Sequence, residues 1–142
     1  MRIRVAKSAS SLFIDTSYIV ALVNTEDQDH AIALSLAEIY DGCPLVVTDA
    51  VLLEIGNALS KNYKMEAVAI IRKFLDSQEV ELVRGSPEIF DKAFALYSQL
   101  LDKTWGLVDC MTFVAMRGRG ITQALTADNH FTQAGFQALM RP

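Results

Sequence analysis

Four acidic residues, Asp15, Glu54, Asp109 and Asp128, lie inside or at the close of apolar segments that otherwise read as core. Asp15 ends the run Ser11-Leu12-Phe13-Ile14, and Asp128 lies just beyond Ala124-Leu125-Thr126. Asp109 sits in Leu107-Val108-Asp109-Cys110-Met111-Thr112-Phe113-Val114, and Glu54 borders the apolar face of Val51, Leu52, Ile55 and Leu59. Acids are almost never fully buried unless paired. No Lys or Arg stands close in sequence to neutralise them. Two carboxylates about 4 Å apart repel by roughly 4 kcal/mol at an effective dielectric of 20, and four together repel more. Convergence on shared divalent cations removes that strain. Mg²⁺ and Mn²⁺ prefer hard oxygen ligands, and Mg²⁺ is held by one or two carboxylates plus substrate phosphate. A cation so held activates water and stabilises charge on phosphoryl oxygens, so phosphodiester hydrolysis is the natural reaction.

Short apolar runs alternate with longer helical patterns, which predicts a parallel α/β sheet. Strands are expected at Leu12–Asp15, Leu45–Thr48, Val80–Arg84, Gln123–Thr126 and Phe136–Leu139, with a loop carrying His130 and Gly135 between the last two. Helices are expected at Ser17–Val23, Asp29–Tyr40, Asp49–Ser60, Lys64–Ser77, Ser86–Leu101 and Leu107–Gly118. Ser86-Pro87 has the chemistry of a helix start, and Asp49 is expected to cap its helix. Asp109 comes early in its helix, where the macrodipole favours a carboxylate. Asp15 and Asp128 fall at strand ends, the side where parallel sheets gather ligands.

The 142 residues fit one domain, expected to span 1–142 with a short mobile arm at 1–10. No apolar run approaches the roughly 18 residues of a membrane span, and the basic N-terminus lacks the apolar core of a signal peptide, so a cytoplasmic protein is expected. Cys43 and Cys110 form no metal-binding pair and are expected as reduced thiols. The net charge of −4 argues at first against a nucleic-acid partner. However, the 17 Asp and Glu exceed the 13 Lys and Arg by the number of candidate ligands, so bound cations would cancel the excess.

Four segments in order, Phe13-Ile14-Asp15-Thr16-Ser17, Thr48-Asp49-Ala50-Val51-Leu52-Leu53-Glu54, Trp105-Gly106-Leu107-Val108-Asp109 and Leu125-Thr126-Ala127-Asp128-Asn129-His130-Phe131, resemble the PIN-domain nucleases, in particular the VapC-type toxin ribonucleases of toxin–antitoxin pairs. The resemblance implies a PIN-like α/β/α sandwich around a mostly parallel sheet of four or five strands. It implies that Asp15, Glu54, Asp109 and Asp128 are the catalytic, metal-binding quartet, with Ser17 and Thr126 as supporting polar neighbours. It further implies Mg²⁺- or Mn²⁺-dependent RNA cleavage, a homodimer and a cognate antitoxin. One departure stands out. Related sequences commonly carry Ser and Thr near the third segment, where this chain has Gly106 and Val108.

Each feature has a plainer competitor. Asp15 also suits a helix cap, Glu54 a solvated flank, Ser17 a helix start and Thr126 a strand. His130 reads as structural beside Phe131. Gly106 and Val108 motivate a second hypothesis, a catalytically weak or inactive PIN-like module that binds metal or a partner through the same pocket. A phosphoacceptor receiver is set aside because Val80–Arg84 runs into Arg84-Gly85-Ser86 with no acceptor Asp. The Lys64–Ser77 helix is apolar on more than one side, an independent reason to expect burial against a second copy.

Overall fold

The computed structural model describes residues 11–142; the arm expected at 1–10 lies outside them. The chain runs β1 (Leu12–Ile14), α1 (Thr16–Val23), α2 (His30–Ile39), β2 (Leu45–Thr48), α3 (Asp49–Leu59), α4 (Lys64–Asp76) and β3 (Val80–Val83). It continues through α5 (Pro87–Gln99), α6 (Leu107–Gly118), β4 (Gln123–Leu125), α7 (Asn129–Gln133) and β5 (Gln137–Ala138). Every strand pairing is parallel, in the order β3-β2-β1-β4-β5. The first connections step outward from β1 to β2 and β3, and the next returns past β1 to β4. Right-handed crossovers therefore put α1–α4 on one face and α5–α7 on the other. Contacts among α1, α2, α3 and α4, and between α5 and α6, agree with this α/β/α sandwich. β1 is the switch point, flanked by β2 and β4, and the crevice beyond its carboxyl end is where such sheets take ligands.

The central strands are continuous apolar runs because both faces are covered. Phe13, Val47, Ala124 and Leu125 are buried, and Phe13 lies opposite Val46 on one side and Ala124 on the other. Phe113 of α6 packs edge-on against Trp105 at 5.0 Å and against Phe131 of α7 at 5.2 Å. Those rings fix the start of α6 relative to α7. Cys110 is buried, and burial, followed by the charge of Asp109, pushes its thiol pKa up.

Two local expectations need revision. Thr48, not Asp49, caps α3: its hydroxyl accepts from the Val51 amide at 3.1 Å. Asp49 instead accepts the Gly85 amide with both oxygens at 3.1 Å, tying the start of α3 to the turn after β3. The stretch between β4 and β5 is not a plain loop, since it contains α7. Phe90, Phe94 and Tyr97 lie on an exposed face of α5, with exposed Leu101 just beyond its end. α5 packs on the molecule through buried Ala93 and half-buried Ile89, Leu96 and Leu100.

α6 and α7 leave by the same device. Gly120 (φ +66°) and Gly135 (φ +94°) occupy left-handed backbone just past the helix ends. The next residues bond back, Ile121 N to Met116 O and Phe136 N to Phe131 O, each at 2.9 Å. Both are Schellman exits with a buried apolar residue after the glycine. They aim the chain into β4 and β5.

Candidate active site

Asp15 follows β1 directly and stands at the N-cap of α1, yet its side chain makes no capping hydrogen bond. The carboxylate turns instead toward β4, where Oδ2 accepts from Thr126 Oγ1 at 2.7 Å and from Ser17 Oγ at 2.9 Å. Each hydroxyl also accepts a backbone N–H: Thr126 Oγ1 from Asp128 at 3.0 Å, Ser17 Oγ from Ala127 at 3.0 Å. With those lone pairs used, the hydroxyl protons point at Asp15. The ends of β1 and β4 are thus laced together through one carboxylate oxygen. Burial raises the Asp15 pKa above the ordinary 3.8, the Thr126 and Ser17 hydroxyls oppose the rise, and the charge of Asp109 adds to it.

Glu54 lies midway along α3, beside the apolar face that covers the sheet. Thr16 Oγ1, in the first turn of α1, donates to Glu54 Oε1 at 3.0 Å. Burial raises the Glu54 pKa above 4.5, the Thr16 hydrogen bond opposes it, and the charges of Asp15, Asp109 and Asp128 raise it further. Glu54 is therefore within electrostatic reach of the other three acids, and Asp15 of Asp109. Sequence expectation and geometry agree on that convergence.

Asp109 is the third residue of α6, and its Oδ2 accepts the Gly106 amide at 3.1 Å, half of a capping box. His130 Nδ1 lies 3.1 Å from the same Oδ2. Asp128 caps α7 by accepting the His130 amide on Oδ1 at 2.9 Å, with His130 Nδ1 3.3 Å from that oxygen. One ligand atom each from Asp109, Asp128 and His130 falls within 4.8 Å of the others. Among the described residues, Glu54 Oε2, Asp109 Oδ1 and Asp128 Oδ2 accept no hydrogen bond. One oxygen is held and its twin is available. A donor set of hard, unpaired oxygens, one of them on a carboxyl whose ionisation burial disfavours, fits a small divalent cation.

Ser17 and Thr126, expected as polar neighbours, both contact Asp15, and Thr126 is wholly buried. Of the four acids selected for their apolar surroundings, Asp15 alone is buried, at 8% exposure; Glu54, Asp109 and Asp128 are half-buried. Three contributors escaped sequence reasoning. Thr16, read only as the residue between Asp15 and Ser17, holds Glu54. His130, read as structural beside Phe131, stands between two of the acids, and Thr104 Oγ1 lies 3.1 Å from its Nε2. The one local signal for these was the hydroxyl pair Thr16-Ser17 directly after the acid; nothing local marks Thr104.

Residues 12–137 match the PIN domain family. The chain belongs to that family. The PIN domain here is 28% identical over 126 residues to the 23S rRNA-specific endonuclease VapC20 of Mycobacterium tuberculosis, spanning 88% of this chain and 95% of that protein, in strains CDC 1551 / Oshkosh and ATCC 25618 / H37Rv alike. The crystal structure of Mycobacterium tuberculosis VapC20, described as a sarcin–ricin loop cleaving toxin, aligns with a TM-score of 0.80 at 26% identity. That alignment covers 89% of this chain and 96% of VapC20. The five-stranded parallel sheet between helical layers is thus the PIN fold that the sequence motifs implied.

Proposed function

We propose that this PIN domain is a metal-dependent endoribonuclease that hydrolyses RNA phosphodiester bonds as the toxin of a toxin–antitoxin pair. The observation that carries the reading is the convergence of Asp15, Glu54, Asp109 and Asp128, with an oxygen of Glu54, Asp109 and Asp128 left open. Similarity to VapC20, itself an rRNA-specific endonuclease, supports RNA as substrate. In this reading the four carboxylates hold Mg²⁺ or Mn²⁺ and are the catalytic residues. The bound cation would lower the pKa of water and offset charge on the scissile phosphate. Ser17 and Thr126 keep Asp15 oriented, and Thr16 does the same for Glu54. No side chain need act as nucleophile, so the expected products carry 5′-phosphate and 3′-hydroxyl ends.

The protein acts in this reading as a homodimer, and a cognate antitoxin silences it by directing an Arg toward the acids, since a guanidinium pairs with carboxylates in bidentate fashion. No helix among the described residues is long and apolar enough to cross a membrane, which suits a cytoplasmic site of action. The test is cleavage of a hairpin RNA carrying the sarcin–ricin loop, the target that describes VapC20, with Mg²⁺ or Mn²⁺ present. Asp15→Asn and Asp109→Asn, each verified as folded, should fall to the level seen in EDTA. Cleavage that persists in EDTA, or in both variants, would defeat the proposal. A silent wild type across varied RNAs would favour the binding-module alternative, for which the missing hydroxyls at Gly106 and Val108 are the specific motive.

A further inference from the structure

We infer that His130 is a positioning residue: with its proton on Nδ1 and its far nitrogen seated on Thr104, the ring clamps Asp109 beside Asp128 and does not itself ligate the metal. The inference rests on the metal-dependent reading above. Nδ1 lies 3.1 Å from Asp109 Oδ2 and 3.3 Å from Asp128 Oδ1, and a carboxylate only accepts hydrogen bonds. In its neutral form the ring therefore carries its proton on Nδ1. Nε2 is left with its lone pair toward Thr104 Oγ1 at 3.1 Å, and the hydroxyl donates to it. Neither nitrogen then has electrons to offer a cation. The carboxylate oxygens opposite the clamped ones do, and hard cations favour them.

The clamp belongs to a larger seat. Three consecutive residues ahead of α6 each reach one part of the site: Thr104 touches His130, Trp105 Nε1 donates to Gln133 Oε1 at 2.9 Å, and the Gly106 amide donates to Asp109. The segment therefore grips α7 at both ends while holding the acid of α6. Asp109 gets little from its own helix start, because Gly106 offers only its amide and Val108 has no hydroxyl. His130 supplies the other hydrogen bond, and its own amide holds Asp128. One residue thereby sets the spacing of two acids that belong to different helices.

The experiment combines ring tautomers with metal affinity. Long-range ¹H–¹⁵N correlation in mildly alkaline buffer reads the rings of His130 and His30; His30 Nδ1 lies 2.7 Å from the Ala21 carbonyl oxygen and serves as an Nδ1–H reference. We expect His130 in the Nδ1–H form without metal, and still so when Mg²⁺ saturates. Mn²⁺ affinity, read by calorimetry, should fall about tenfold or more in His130→Ala, whereas His130→Asn, whose amide N–H stands near the lost Nδ1–H, should stay within about threefold of wild type. Thr104→Val should lie between them. An Nε2–H ring in the metal-free protein, loss of the Nδ1 proton on Mg²⁺ binding, or His130→Asn as weak as His130→Ala would each overturn the clamp. A wild type that binds neither ion would sink the metal-dependent reading instead, and the metal-free tautomer would still decide the clamp.

Discussion

At Asp15 two forces oppose each other. Burial disfavours the charged form, while two hydroxyl donors favour it, and burial wins, so the folded pKa lies above 3.8. Glu54 is likewise raised above 4.5. Below those ordinary values both carboxyls are protonated in the folded and unfolded chain alike, and their contribution to stability is fully present. As pH rises through the raised folded values, the unfolded chain ionises freely while the folded chain ionises against burial and its neighbours, and the contribution is lost. Asp15→Asn should therefore make the metal-free protein more stable than wild type at neutral pH, an advantage that disappears in acid. Mn²⁺ should reverse the order. At a hundred times its dissociation constant the cation adds about 2.7 kcal/mol to wild type and much less to the variant. Chemical denaturation with and without Mn²⁺ checks both halves, and equal gains in the two proteins would refute the site. The four acids were legible in the sequence because an acid inside an apolar run is locally anomalous. Thr104 and His130 were not, since their contact joins residues 26 positions apart and neither stands in an improbable context.

Among the elements, each helix start was legible where one residue alone had capping chemistry. Ser86-Pro87 is such a case, and Ser86 Oγ accepts the Ile89 amide at 3.1 Å as its type predicts. At α3 the expected cap was Asp49, whereas the residue before it, Thr48, has capping chemistry too and takes the role. What decided between them was Gly85, 36 residues away, which draws off the Asp49 carboxylate. Thr48→Ala should cost about 1–2 kcal/mol and Ser86→Ala about 1 kcal/mol, read from urea midpoints. A negligible loss at Thr48 would return the cap to Asp49. The helix α7 was missed because five residues are too few to display a period. Its end was nevertheless written in the sequence: Gly135, taken as a loop marker, is the left-handed residue of a Schellman exit, and Gly120 does the same for α6. The two glycines stand three residues before β4 and two before β5.

For the whole molecule, the apolar faces left uncovered bear on assembly. Sequence reasoning placed a second copy against α4, and Met65, Val68 and Leu75 there are indeed exposed. The more aromatic stripe is on α5, where Phe90, Phe94 and Tyr97 run along one side, with exposed Leu101 just past the helix end and the Phe90 and Phe94 rings parallel at 6.4 Å between centroids. Aromatic residues are enriched at the cores of protein interfaces. In the proposed dimer, Phe90→Ser with Phe94→Ser should shift sedimentation to the monomer while leaving the metal-free melting temperature of the fold little changed. A variant that sediments like wild type would exclude α5 as the contact. The sheet order β3-β2-β1-β4-β5 has a separate consequence, for the timing of synthesis. Asp15 emerges from the ribosome early, but Thr126, which orients it, lies 111 residues later, and β4 must insert beside β1 before the two meet. Domains fold as their chain emerges, N-terminal parts first. The nascent chain thus carries its first acid long before the other three acids can join it, and the proposed site is complete only once residue 128 has been added and β4 has paired with β1.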